Sequence, residues 1–152
     1  MKTIIVDDEI MAIKLVRNYL ERDKRVEIVG ECLDAGEALQ CVRERAVEAA
    51  FLDICIHGCM DGVELGKKLK ELNPQIVLIY TTGNAQYVDN AIDVEADFYL
   101  MKPLNAAELT FVVKKANELA LQRNKRIFAR TFGHFDLYID CLLYTSPSPR
   151  DK

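Results

Sequence analysis

The chain is predicted to be an alternating α/β protein with a five-stranded parallel sheet and helices on both of its faces. Three observations predict it. Five short apolar runs occur along the 152 residues, most of them uninterrupted, as strands covered on both faces require. Between them lie segments whose apolar residues recur at three- and four-residue steps, the spacing of a helix face. Three of those segments open with an Asx residue followed three positions later by Glu, a helix-start signal.

In order, the first strand is Thr3–Val6, and the helix after Asp8 puts Ala12, Ile13, Val16, Tyr19 and Leu20 on one face. Val26–Val29 is the second strand; Asp34 with Glu37 opens the second helix. Ala49–Leu52 is the third strand, and Asp61 with Glu64 opens a helix that ends at Asn73-Pro74, where the proline disfavours helix in the residue before it. Ile76–Tyr80 is the fourth strand. A fourth helix over Ala85–Asp93 has the weakest pattern of the five. Phe98–Met101 is the last strand, followed by a helix over Ala106–Arg123 that opens with Asn105 and Glu108. Strict alternation of five strands and five helices implies right-handed crossovers and a parallel sheet.

Half of the residues are apolar and 29% are charged, the balance of a globular domain rather than a disordered chain. A net charge of −4 argues against a surface that grips nucleic acid throughout, and leaves a local basic patch open. No stretch approaches the roughly 20 apolar residues of a spanning helix. Met1-Lys2-Thr3 leads directly into the first strand with no signal-peptide pattern, so no membrane association and a cytoplasmic location are expected. The cysteines, Cys32, Cys41, Cys55, Cys59 and Cys141, are odd in number and contain no C-x-x-C pair. His57 and His134 complete no zinc spacing, and the cysteines read as reduced thiols packing as small hydrophobes.

Sheets of this kind gather ligands beyond the carboxyl ends of their strands. The first strand ends in Asp7-Asp8-Glu9, the third in Asp53, the fourth in Thr81-Thr82-Gly83 and the fifth in Lys102-Pro103. Crowded carboxylates repel unless a cation neutralises them, and an all-oxygen cluster suits Mg²⁺ or Mn²⁺. With such an ion, one Asp can stay charged and attack phosphorus while Lys and hydroxyl stabilise the phosphoryl oxygens. Singly, each residue has a plainer reading: Asp7-Asp8 as a helix cap, Asp53 as a turn residue, Thr82 as a cap, Lys102 as a solvated lysine. Four such coincidences at four strand ends are improbable.

The segments Ile4-Ile5-Val6-Asp7-Asp8-Glu9, Phe51-Leu52-Asp53-Ile54, Met60-Asp61-Gly62-Val63-Glu64-Leu65, Thr82-Gly83 and Tyr99-Leu100-Met101-Lys102-Pro103 resemble the receiver domains of two-component response regulators. The resemblance implies a flavodoxin-like (βα)5 three-layer sandwich of strand order 2-1-3-4-5 over residues 1–122. It implies that Asp53 accepts a phosphoryl group from a sensor histidine kinase and that Asp8 ligates Mg²⁺ (or Mn²⁺) directly. Asp7 would act on the ion through water, and the backbone carbonyl of Cys55 would add a ligand. Lys102 would pair with the phosphoryl oxygens, with a cis peptide bond to Pro103. Thr82, preferred over Thr81 for its distances from Pro74 and Lys102, matches the switch hydroxyl, and Gly83 leaves access to it. Tyr99 matches the aromatic reporter on the face formed by the fourth helix, fifth strand and fifth helix, a candidate homodimer surface; as a core aromatic it needs no such role. Such a domain is a phosphoacceptor that assists its own Mg²⁺-dependent phosphorylation and dephosphorylation, not a conventional enzyme.

One departure is clear. The loop from Asp53 to Gly62 is one residue longer than the family pattern and has His57-Gly58 in place of its proline. Gly58 can make the turn, and His57 reads as a solvated loop residue. An aspartyl-phosphate phosphohydrolase would need a second Asp two residues after the first, where this chain has Cys55. A flavodoxin would need a phosphate-cradling loop where Asp7-Asp8-Glu9 stand.

Residues 123–130 are a basic segment read as a solvated linker in preference to a DNA contact. In 131–140, Phe132, Gly133, Phe135, Leu137 and Ile139 resemble the opening strand of the winged-helix effector of activator-type response regulators. No recognition helix follows, so DNA binding is expected only where a complete effector exists in the parent protein. Residues 141–152 shift to turn and breaker residues and are set aside as a non-native or disordered tail of a truncated or chimeric frame. The function expected is a receiver whose phosphorylation switches an output surface, regulating transcription in the full-length protein. A stand-alone receiver that signals through protein contacts is the alternative.

Overall fold

The computed structural model describes residues 1–56, 61–83 and 96–131, with side chains described as far as Asn124. The fourth predicted helix, the departing loop residues 57–60 and the segment 132–152 lie outside the described residues. The elements are β1 (Lys2–Val6), α1 (Ile10–Leu20), β2 (Glu27–Cys32), α2 (Ala35–Glu44), β3 (Ala49–Asp53), α3 (Gly62–Leu72), β4 (Val77–Thr82), β5 (Phe98–Met101) and a C-terminal helix, α4 (Ala106–Thr131). All neighbouring strands are parallel, in the order β2-β1-β3-β4-β5. This is the flavodoxin-like arrangement.

Two apolar layers explain the uninterrupted strands. Ile4, Val6, Ala50, Leu52, Leu78 and Tyr80 meet Ala35 and Ala38 of α2 and Leu65 and Leu69 of α3. The alternate residues Ile5, Ala49, Phe51, Val77 and Ile79 meet Ile13, Val16 and Leu20 of α1 and five residues of α4 between Leu109 and Ala120. A strand covered on both faces has no solvent side for a polar residue, and each large aliphatic residue so buried contributes roughly 1.5–3 kcal/mol.

The predicted helix starts are capped. Asp34 accepts from the Glu37 amide at 2.8 Å, and Asp61 from the Glu64 amide at 2.8 Å. Asn105 accepts from Ala107 and Glu108 at 2.8 and 3.3 Å. Glu37 returns a bond to the Leu33 amide at 2.7 Å, one residue before the position a capping box would use.

Some boundaries differ from the expectation. β2 runs to Cys32 because β1 continues to pair with it, Val6 opposite Cys32. β4 extends through both threonines, with Thr81 opposite Asp53 and Thr82 opposite Met101. α4 continues to Thr131, so the backbone of the segment read as a linker is helical; it contains neither Gly nor Pro to stop it. No described helix is long and apolar enough to cross a membrane.

Candidate functional site

The strand ends bring the acidic residues together. β1 stops at Val6 and hands Asp7 and Asp8 to the carboxyl edge of the sheet, while β3 ends on Asp53. One carboxylate oxygen of each lies within 4.8 Å of the others. Asp7 and Asp53 are buried, at 4% and 7% exposure, and Asp8 is half-buried. Main-chain bonds hold them. The Asp7 amide donates to the Cys32 carbonyl at 3.1 Å, and its Oδ1 accepts from the Glu9 amide at 2.9 Å. Asp53 Oδ1 accepts from the Cys55 amide at 3.1 Å.

Lys102 supplies the opposing charge. Its Nζ lies 3.0 Å from Asp7 Oδ2 and 3.5 Å from Asp53 Oδ2. Its amide donates to the Thr82 carbonyl at 2.7 Å, and its bond to Pro103 is cis. Burial raises the pKa of Asp7, and the nearby Asp53 adds to that. The Glu9 amide and Lys102 pull it down, with a net rise from 3.8. Burial opposes the charge on Lys102, but its hydrogen bond to Asp7 and the charges of Asp53 and Asp7 outweigh it, so its pKa lies above 10.5. Two of the three carboxylates, Asp7 and Asp53, thus share one ammonium. The donor set is oxygen only, which suits a hard divalent cation, and the cluster is compatible with one.

The N-cap position of α1 falls one residue after Asp7-Asp8. Glu9 is the N-cap of α1, and its side chain makes no capping hydrogen bond.

Thr82 is fully buried and, by the two-residue period of a strand, shares a face of β4 with Tyr80. Tyr80 stacks on Tyr99 with ring centroids 5.9 Å apart and planes at 28°. Thr81 takes the other face, and its hydroxyl reaches the Leu52 carbonyl at 3.5 Å. Tyr99 is half-buried, and burial pushes its pKa up. A side chain on Gly83 would meet no described atom within 4 Å. Cys55 is exposed and enters the site through its amide.

Sequence reasoning missed two residues. Tyr80 was read only as the last member of an apolar run, yet it joins the Thr82 face to Tyr99, and its buried hydroxyl has no hydrogen-bond partner among the described residues. A Cβ on Gly66 would stand 1.9 Å from that hydroxyl oxygen. A phenol in an otherwise aliphatic run was the available signal, because a buried hydroxyl needs a partner.

A five-stranded parallel sheet of this order, with carboxylates and a lysine converging on its carboxyl edge, defines a class of flavodoxin-like signalling domains. The model of the response regulator receiver domain matches residues 3–114, and the chain belongs to that family. It is 31% identical over 115 residues to sensory transduction protein LytT of Bacillus cereus, covering 76% of this chain and 46% of that protein. It is 30% identical over 115 residues to transcriptional regulatory protein YpdB of Escherichia coli K12, covering 76% and 47%. Among solved structures, the receiver domain of AraT, a response regulator from Geobacillus stearothermophilus, superposes with a TM-score of 0.73 at 33% identity, covering 81% of this chain and 97% of that one. The chain spans about half the length of the curated relatives it matches. Its family is one of phosphoacceptor signalling domains rather than conventional enzymes.

Proposed function

We propose that Asp53 accepts a phosphoryl group from the phosphohistidine of a sensor histidine kinase. The observation that carries this is the convergence of Asp53 and Asp7 on the Lys102 ammonium, with Asp8 within 4.8 Å. The Cys55 amide holds one oxygen of Asp53 and so orients the carboxylate. The nucleophilic oxygen of Asp53 forms a bond to phosphorus as the donor's P–N bond breaks. Lys102 faces the negative charge that develops on the phosphoryl oxygens. Asp8, Asp53 and the Cys55 carbonyl would hold Mg²⁺ (or Mn²⁺), with Asp7 acting through water. Bound there, the ion supplies neutralising charge that lets the carboxylates and a phosphoryl group share the site.

Thr82 is the switch hydroxyl of this reading, Gly83 leaves the approach to it open, and Tyr99 carries the change outward through its stack with Tyr80. Repacking around Tyr99 alters an output surface at which two copies associate. The output is regulation of transcription by an effector domain of the parent protein, a reading supported by the name of transcriptional regulatory protein YpdB, which is about twice as long as the matched segment. DNA contact belongs to that domain.

Treatment with acetyl phosphate and Mg²⁺, followed by intact-mass measurement, tests the assignment. One phosphoryl group is expected on the parent, none on Asp53→Asn, and none on the parent with excess chelator. Undiminished labelling of Asp53→Asn would overturn it.

A further inference from the structure

Two cysteines, one on β2 and one on α2, come together outside the set of residues assigned above. Gly30 and Cys32 are two apart on β2 and share one face. A Cβ on Gly30 would stand 2.6 Å from Cys41 Sγ and 3.9 Å from Cys32 Sγ. Both sulfurs therefore converge on the same patch of strand, in space that only glycine leaves open. Cys32 is buried and Cys41 is half-buried, so one sulfur is shielded and its neighbour meets solvent. A surface cavity of about 240 Å³ gives access, lined by both cysteines with Glu37, Gln40, Glu44 and Arg45.

We propose that Cys32 and Cys41 form a redox-active dithiol that closes to an intramolecular disulfide when it meets a low-molecular-weight disulfide. The half-exposed Cys41 thiolate attacks one sulfur of the reagent, RSSR, giving a Cys41–SR mixed disulfide and releasing RS⁻, which takes up a proton. Cys32 then loses its proton and attacks the Cys41 sulfur, forming the Cys32–Cys41 bond and expelling the second RSH. Two protein thiols are oxidised and one RSSR is reduced to two RSH. Cys32 is buried and Cys41 reaches the cavity and solvent, which places the first attack on Cys41. The closed pair would pin α2 to the end of β2. The Cys32 carbonyl accepts the Asp7 amide, so the pair lies one hydrogen bond from the acidic cluster. The proposal does not rest on phosphorylation of Asp53.

The full chain, folded, is treated with oxidised glutathione; free thiols are then blocked with iodoacetamide and the protein is digested with trypsin. Residues 26–43 form one peptide containing both cysteines and no internal Lys or Arg. The expected product is that peptide two hydrogens lighter than its dithiol form and free of alkyl groups, reverting with dithiothreitol. Cys41→Ser should abolish the loss. Two alkyl groups or two glutathiones on the peptide, a crosslink to another cysteine, or closure only after unfolding in urea would each overturn the proposal.

Discussion

Tyr80 carries a conflict that its neighbours make measurable. Its ring is fully buried and stacked on Tyr99, while its hydroxyl has no partner among the described residues. A buried unsatisfied polar group costs about 1–3 kcal/mol, and that oxygen occupies the space a side chain on Gly66 would need. Tyr80→Phe keeps the stack and removes the oxygen. It should stabilise the protein by about 1 kcal/mol, read as a higher urea midpoint with unchanged slope. Gly66→Ala should cost about 1–3 kcal/mol through overpacking, and less in the Tyr80→Phe background. Equal costs in the two backgrounds would show that the hydroxyl is not what Gly66 accommodates.

Asp7 gives a pH prediction whose sign is fixed by its environment. Burial, with Asp53 beside it, raises its pKa in the folded protein above 3.8, so the fold favours the neutral carboxyl. The penalty for ionising it is absent below the unfolded value and fully present above the raised folded value. Asp7→Asn should therefore be the more stable protein at pH 7 in chelator, and the gap should close as pH falls through the folded pKa of Asp7. A parent that equals or exceeds the variant in urea midpoint at pH 7 would contradict this. The acidic residues and Lys102 were legible in the sequence because strand ends with those side chains are few. The amides of Glu9 and Cys55 were not, since any residue type supplies an amide.

At the level of elements, the edge strand β5 depends on a polar tie. Asp97 Oδ2 accepts from the Leu78 amide of β4 at 2.9 Å and lies 3.5 Å from Lys70 Nζ, which also donates to the Ile76 carbonyl at 2.7 Å. One carboxylate therefore joins α3, β4 and the start of β5. Asp97→Ala leaves the Leu78 amide and a partly buried ammonium short of that acceptor, and should cost about 1–3 kcal/mol by urea unfolding. Amide exchange in β5 should quicken more than in β1. Uniform quickening would mean that Asp97 does not anchor the edge in particular. The caps at Asp34, Asp61 and Asn105 were readable because they act within four residues. The tie at Asp97 spans 27 positions to Lys70, and no local pattern announces it. The true end of β2 was hidden for a similar reason: pairing with β1, not its own apolar residues, carries it to Cys32.

For the whole molecule, the distribution of the core predicts how much chain the fold needs. Among the described residues both buried clusters end by Ala120, and residues 1–120 form one compact unit. Alternation of strands and helices made the sheet readable, while its strand order came from resemblance, because periodicity says nothing of which strands are neighbours. A fragment ending at Arg123 keeps every described core residue and the acidic cluster. It should unfold cooperatively in urea at the midpoint of the full chain, because the residues removed bury none of the described core. Mg²⁺ should raise that midpoint in both proteins alike, through a gain in unfolding free energy of about 2.7 kcal/mol when the ion is 100-fold above its dissociation constant. The Asp53→Asn fragment should show a smaller rise, since a carboxylate of the cluster is lost. A fragment that unfolds earlier or without cooperativity would show that residues beyond 123 support the core. A fragment with the same midpoint but no response to Mg²⁺ would instead count against the acidic cluster as an ion site, so the two outcomes separate the fold from its chemistry.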